Sequence, residues 1–388
     1  MQIMFMDREL NIRIPQIGFD MPITDLIMEL EQLRYKELSG TTHPIVFNQM
    51  KNIFQMLESI GSSRIEGNNT TIMDYAETAK IYPNNNLSEH EDFLEILNIE
   101  KAMAYIEENI DDTPITSMFI RELHHIAVNG LSARKEGAVH PGQYRNVNVK
   151  IGGSSHVPPD YTQVEYMMQS LVDFINQQGS RKYDLLKIAI AHHRFVWIHP
   201  FENGNGRVVR LLTYAMLLKK VFKSNDRIIN PTAVFCSNRD NYYKYLSMAD
   251  TGTDEGLIAW SEYMLTGLKK EMVKIDKLVD YKYLKDEILV PSLQDALQNK
   301  FITDDDYKIL LRTINKDNQE LQAGDLKAIF NNASYERSRM IKKLISNGML
   351  MPISSNARKY VISFANNYLL RSVLKVLDKK GFLPEKMV

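Results

Sequence analysis

Residues His199 to Arg210 read His-Pro-Phe-Glu-Asn-Gly-Asn-Gly-Arg-Val-Val-Arg. The stretch joins a base, a run of small residues and two arginines spaced i, i+3. Asn203-Gly204-Asn205-Gly206 lacks bulk, so its backbone amides can approach an anion closely. Arg207 and Arg210 fall on one side of a helix's first turn. Arginine keeps its charge and forks onto phosphate oxygens. His199 titrates near neutrality and suits proton abstraction from a hydroxyl. The combination is that of a phosphate chain held at a helix N-terminus with a base beside it.

Two buried helices must position this loop. Residues 184–198 are densely apolar, and Val208, Val209, Leu211, Leu212, Ala215, Leu217 and Leu218 continue a helical pattern from near Gly206. Further helices are expected at 23–38, 44–60, 71–81, 88–110, 116–129, 162–176 and 239–249, with one or two more across 254–287. Ser88 with Glu91 reads as a capping box, and Thr116 as a helix start. The Pro/Asn stretch 82–86 is a loop. Val147, Val149 and Ile151 alternate with polar residues, Gly152-Gly153 permits a turn, and Pro158-Pro159 ends the run. That pattern predicts an isolated β-hairpin.

His199 to Arg210 resembles the signature of Fic domain proteins, H-P-F-x-(D/E)-G-N-(G/K)-R-x-x-R, at all fixed positions but one. Most members of that family transfer AMP from ATP to a hydroxyl side chain of a target protein. The resemblance implies His199 as the base and Phe201 as the core anchor. Gly204, Asn205 and Gly206 would cradle the phosphates, Arg207 would hold the α/β-phosphates and Arg210 would reach the γ-phosphate. The departing position is Asn203, where the family usually carries an acid on Mg²⁺. An amide oxygen is a ligand without charge, and hard cations favour carboxylate.

Two more segments extend the resemblance. Ser62-Ser63-Arg64-Ile65-Glu66-Gly67 fits (S/T)-x-x-x-E-(G/N), which marks an inhibitory helix whose glutamate pairs with the second arginine. Ser62 and Glu66 would then take the charge that the γ-phosphate would use. The segment from Pro141 to Pro159 resembles the flap that docks a target protein by strand addition. Its turn, Ile151, Gly152, Gly153 and Ser154, is assigned to the nucleotide site. Tyr242 and Tyr243, with Leu246, resemble the nucleoside-contacting stretch, and Asp250 a position that meets base or ribose.

Beyond Pro291 the pattern changes. Helices are expected at 303–314, capped by Thr303, at 321–330, and at 334–347, closed by Gly348. Short strands follow at 349–352 and 359–363. Three helices and a hairpin resemble a winged helix-turn-helix. Residues 300–360 hold 11 Lys/Arg against 7 Asp/Glu, including Arg337, Arg339, Lys342, Lys343, Arg358 and Lys359. A basic third helix suits a major groove, so nucleic-acid contact through this domain is one expectation, although the excess is modest and many winged helices bind only protein.

The fold expected is therefore all-α: a Fic-type helical core with a β-hairpin flap, plus a C-terminal winged helix-turn-helix. The 388 residues divide into 1–112, which carries the inhibitory motif, a catalytic core at 113–287, and 288–388. The net charge of −1 gives no general pull toward polyanions. The single cysteine, Cys236, excludes an intrachain disulfide and is expected as a buried thiol. No apolar run approaches the ~18–20 residues of a membrane span, and the charged first ten residues do not read as a signal peptide. A cytoplasmic protein adenylyltransferase follows, using ATP with Mg²⁺, restrained by Glu66 and acting on a target protein or on itself, with homodimers common among its kind. The alternative is a DNA-binding regulator with a nucleotide-sensing, catalytically weak core.

Overall fold

The structure, a computed structural model, describes residues 12–35, 41–81, 90–111, 114–221, 230–331 and 333–383. The chain opens with α1 (Pro22–Tyr35), α2 (Pro44–Glu66) and α3 (Ile72–Tyr75), the last continued by a π-helical turn over Ala76–Ile81. The middle of the chain builds α4 (Glu91–Asn109), α5 (Ser117–Ala127), α6 (Val164–Asn176), α7 (Asp184–Ile198) and α8 (Asn205–Lys220). Next come α9 (Thr232–Cys236), α10 (Arg239–Ala249) and α11 (Asp254–Asp276). The C-terminal third holds α12 (Tyr281–Tyr283), α13 (Val290–Gln298), α14 (Asp304–Ile314), α15 (Ser334–Ser346), β1 (Leu350–Pro352), β2 (Tyr360–Ile362) and α16 (Leu369–Lys379). The Ser88 cap and the 82–86 loop lie outside the described residues.

Local signals set many of the ends. Thr116 accepts the Phe119 amide at 3.1 Å and starts α5. Thr303 and Asp306 form a reciprocal capping box on α14. Gly348 closes α15 with φ +69°. Leu321, expected inside a helix, instead exchanges backbone hydrogen bonds with Tyr360. That pairing removes it from helical geometry and leaves only a 3₁₀ stretch at Ala323–Ala328. Helix α2 runs through Gly61, past the expected residue 60, to Glu66, where Gly67, at φ +110°, turns the chain out.

Two hydrophobic cores result. One joins α1, α4 to α8, α10 and α11, and α7 is buried along nearly its whole length. The other gathers residues 275–383 around α2, through Val46, Met50, Ile53, Phe54, Leu57 and Ile60. The cores cut across the expected division at 112/113 and 287/288, because α2 belongs with the C-terminal third. Only its last turn, at Ile65, enters the first core. Residue Gln49 ties α2 to the hairpin: its Nε2 donates to Ile362 O at 2.9 Å, and its Oε1 accepts the Phe364 amide at 2.8 Å.

The predicted flap strands do not form. Among the described residues only β1 and β2 make a sheet, antiparallel, with Leu350 opposite Ile362. The flap is extended with a turn at Ile151–Ser154. The carbonyls of Val147 and Pro159 accept from the Arg145 side chain instead of a strand, and Pro158 and Pro159 carry no N–H to donate. The expected basic surface is partly neutralised: Lys343 pairs with Asp306 at 3.1 Å and Lys359 with Glu320 at 2.7 Å. Among the described residues no helix is long and apolar enough to cross a membrane.

Candidate active site

The signature loop joins α7 to α8 and is closed by one side chain. Asn205 Oδ1 accepts the Phe201 amide at 2.9 Å, and its Nδ2 donates back to Phe201 O at 2.8 Å. Phe201 is fully buried and stacks on His124 with ring centroids 3.8 Å apart. Gly204 caps α8 at φ +77°, so the amides of Asn205, Gly206 and Arg207 open the helix without intrahelical partners.

His199 ends α7 in left-handed geometry, φ +52°. Its Nδ1 lies 3.3 Å from Val196 O, which can only accept. That contact puts the proton on Nδ1 and leaves the Nε2 lone pair to act as a base. Burial pushes the imidazole down to about 4, against the Val196 bond and the Glu66 charge, which both raise it. The ring is therefore neutral at pH 7.

Both arginines are engaged. Arg210 Nε donates to Ser62 Oγ at 2.8 Å, and Nη2 donates to Ser62 O at 2.9 Å and Glu66 Oε1 at 2.7 Å. Burial works against the Glu66 charge, but Arg210 and Arg207 outweigh it and hold this carboxyl below its ordinary range. Arg207 is also wholly buried. Its Nη2 donates to Glu136 O at 2.5 Å and Glu136 Oε2 at 3.1 Å, and its Nη1 lies 3.2 Å from Glu95 Oε1. Glu95 is tied by Asn68 Nδ2 at 2.8 Å, two residues after Glu66. Burial pushes Glu95 up to about 7, although Arg207 and Asn68 pull it down.

Sequence reasoning missed several of these partners. Arg145 was legible only as part of the flap. Its Nε donates to His199 O at 2.9 Å, Nη1 to Val147 O at 3.0 Å and Nη2 to Pro159 O at 2.6 Å. His124 accepts the Gly142 amide on Nδ1 at 2.9 Å, so its Nε2 carries the proton toward Asn203 O at 3.2 Å. Burial holds it down to about 4. No local signal marks His124, Glu95 or Glu136.

The nucleoside segment needs correction. Tyr242 is not a pocket wall but core, 2% exposed. The Thr213 hydroxyl donates to Val209 O at 2.8 Å and so accepts from His192 Nδ1 at 2.7 Å. His192 Nε2 is then an acceptor, and the Tyr242 hydroxyl donates to it at 2.9 Å. Tyr243 is exposed, and Asp250 lies 3.0 Å from His193 Nε2. Ile151 is half-buried, and Gly152, Gly153 and Ser154 sit on an exposed turn. Cys236, expected buried, is half-buried, and burial pushes its thiol up to about 11.

Asn203 does not fit as an Mg²⁺ ligand. Its Nδ2 donates to Lys135 O at 2.7 Å and Gly137 O at 3.2 Å, and its Oδ1 accepts the Gly204 amide at 2.7 Å. Among the described residues no group of three or more His, Cys, Asp or Glu is arranged to hold a metal ion. Glu136, between the two residues whose carbonyls Asn203 holds, reaches Arg207 Nη2 at 3.1 Å.

Residues 114–217 match the family model described as Fic/DOC family. The chain carries a Fic/DOC domain. Protein adenylyltransferase Fic of Nematostella vectensis is 30% identical over 200 residues, 49% of this chain and 42% of that protein. The protein of the same name from Drosophila willistoni is 32% identical over 196 residues, 48% of this chain and 35% of that protein. The match thus spans less than half the length of these curated relatives. A Fic family protein from Desulfovibrio desulfuricans shares the fold at TM-score 0.53 and 19% identity, over 90% of this chain and 98% of its own. A Fic domain containing signaling protein from Bacteroides thetaiotaomicron does so at TM-score 0.51 and 21% identity, over 66% and 97%. The Fic domain's family model covers α5 to most of α8, which includes the signature loop but not the Ser62–Glu66 turn.

Proposed function

We propose that this chain is a protein adenylyltransferase held in check by its own α2. His199 Nε2 takes the proton of a Ser, Thr or Tyr hydroxyl on a target protein. The hydroxyl oxygen forms a bond to the α-phosphorus of ATP, the bond to the bridging oxygen breaks, and its electron pair leaves with pyrophosphate. The opening amides of α8 and Arg207 face the charge that develops. Mg²⁺, when bound, supplies further neutralisation of the phosphates. The exposed flap beside His199 offers free backbone to a target peptide.

The observation that carries the reading is the 2.7 Å pair between Arg210 and Glu66, set beside a base whose lone pair is free. With Arg210 taken, a γ-phosphate has no partner there, and ATP is not aligned for in-line attack. Incubation with α-labelled ATP tests this on the wild type, Glu66→Gly and His199→Ala. Label on protein rises at least about tenfold for the first variant, the gain expected when a partner worth ~1.4 kcal/mol or more is freed, and is lost in the second. Equal labelling in all three overturns the proposal.

A further inference from the structure

The carboxamide of Asn203 is spent on the backbone of its neighbours, yet the two carbonyls it holds, Lys135 O and Gly137 O, flank an acid. That acid is Glu136. Its carboxylate lies 3.1 Å from Arg207 Nη2 and its side chain is 38% exposed, so it can turn toward solvent. The other carboxylate on Arg207, Glu95, is buried and fastened by Asn68, so it cannot. Arg207 itself is wholly buried, yet its Nε has no hydrogen-bond partner, and its Nη1 faces only Glu95 Oε1, at 3.2 Å. A buried donor left open in this way calls for an anion. Magnesium on a nucleotide needs only one or two protein carboxylates, because phosphate oxygens and water complete its shell.

We propose that Glu136, rather than residue 203, is the protein ligand of the divalent cation that accompanies the nucleotide. The proposal rests on the nucleotide reading given above. Binding exchanges ion pairs: the phosphate takes Arg207, and the cation takes the carboxylate that Arg207 releases. Charge stays matched throughout. In effect the acid missing from the signature loop is supplied from the neighbouring segment.

The test uses the full chain and ADP, which lacks the γ-phosphate that the Glu66 contact excludes. ADP affinity is measured by calorimetry with Mn²⁺ and again with a chelator, and the Mn²⁺ spectrum is followed by electron paramagnetic resonance. The wild type binds ADP in both conditions, and more tightly with Mn²⁺. E136Q loses about tenfold of the Mn²⁺-dependent gain, the scale set by lost metal-site groups, with metal-free affinity unchanged or higher. E136D keeps part of the gain. E202Q, which removes the exposed glutamate next to Asn203, matches the wild type. An intact gain in E136Q overturns the proposal. A parallel fall with and without metal also overturns it, because Glu136 would then only orient Arg207. A wild type with no metal gain does the same. A wild type that binds no ADP in either condition defeats the nucleotide reading first.

Discussion

The Glu66 carboxylate fills the space that a side chain on residue 206 would need. A Cβ built on Gly206 would lie 2.1 Å from Glu66 Oε1 and 3.1 Å from Arg210 Nη1. Glycine here thus admits the Glu66 side chain, and it would also admit the phosphate proposed to approach the helix amides.

Gly206→Ala is therefore expected to expel Glu66 and break its ion pair with Arg210. Breaking a buried pair costs about 3–5 kcal/mol, less here because Glu66 keeps some solvent access. Adding Glu66→Gly to that variant should recover part of the loss, since the clash disappears with the carboxylate. Urea unfolding of both single variants and the double variant measures this. Simple additivity of the two losses would count against the contact.

The acid limb of catalysis should lie low. Burial holds His199 down to about 4, so the base form is populated throughout pH 5–8. In Glu66→Gly, where turnover is measurable, kcat/KM should fall only as pH drops toward about 4. Removing Glu66 takes away a charge that raises the imidazole, so the limb moves no higher. The folded value lies below that of the free side chain, so the unfolded chain takes up the proton first. The stability contributed by His199 accordingly declines as pH falls from about 6.5 toward 4. A limb near 6.5 would show an imidazole open to water.

Arg145 should be irreplaceable for the flap and indifferent to the nucleotide. It donates to the carbonyls of His199, Val147 and Pro159 from one buried planar group. Lysine cannot reach three such acceptors at once. Arg145→Ala and Arg145→Lys are each expected to cost roughly 2–4 kcal/mol, as buried acceptors lose their donors. Limited proteolysis within 146–160 should accelerate while ADP affinity stays near that of the wild type. A flap that resists cleavage in both variants would remove Arg145 from this role.

What could be read in the sequence was local chemistry. The loop between α7 and α8, the Thr116 and Thr303 caps and the Gly348 terminus depend on neighbours a few residues away, and the structure has them where expected. The pairing of Glu66 with Arg210 was legible through the family resemblance rather than through spacing. The rest depended on distant partners. Arg207 looks free in sequence, yet it meets Glu95 and Glu136 from two other segments. Alternation at Val147, Val149 and Ile151 mimicked a strand because alternation reports extended backbone, not a partner to bond with. Tyr242 and Tyr243 are adjacent aromatics, and periodicity could not say that the first turns into the core while the second faces out.

Helix α2 is a rod of 23 residues seated by most of its length in the C-terminal core. Gln49, bonded to the hairpin, and Glu66, bonded to Arg210, stand about 25 Å apart along it at the helical rise of ~1.5 Å per residue. The rod acts as a lever whose long arm belongs to one body and whose tip lies in another. Whatever grips or shifts the hairpin is therefore expected to pull on the Glu66–Arg210 pair at the tip, and cutting the chain after α11 would leave the tip without its fulcrum.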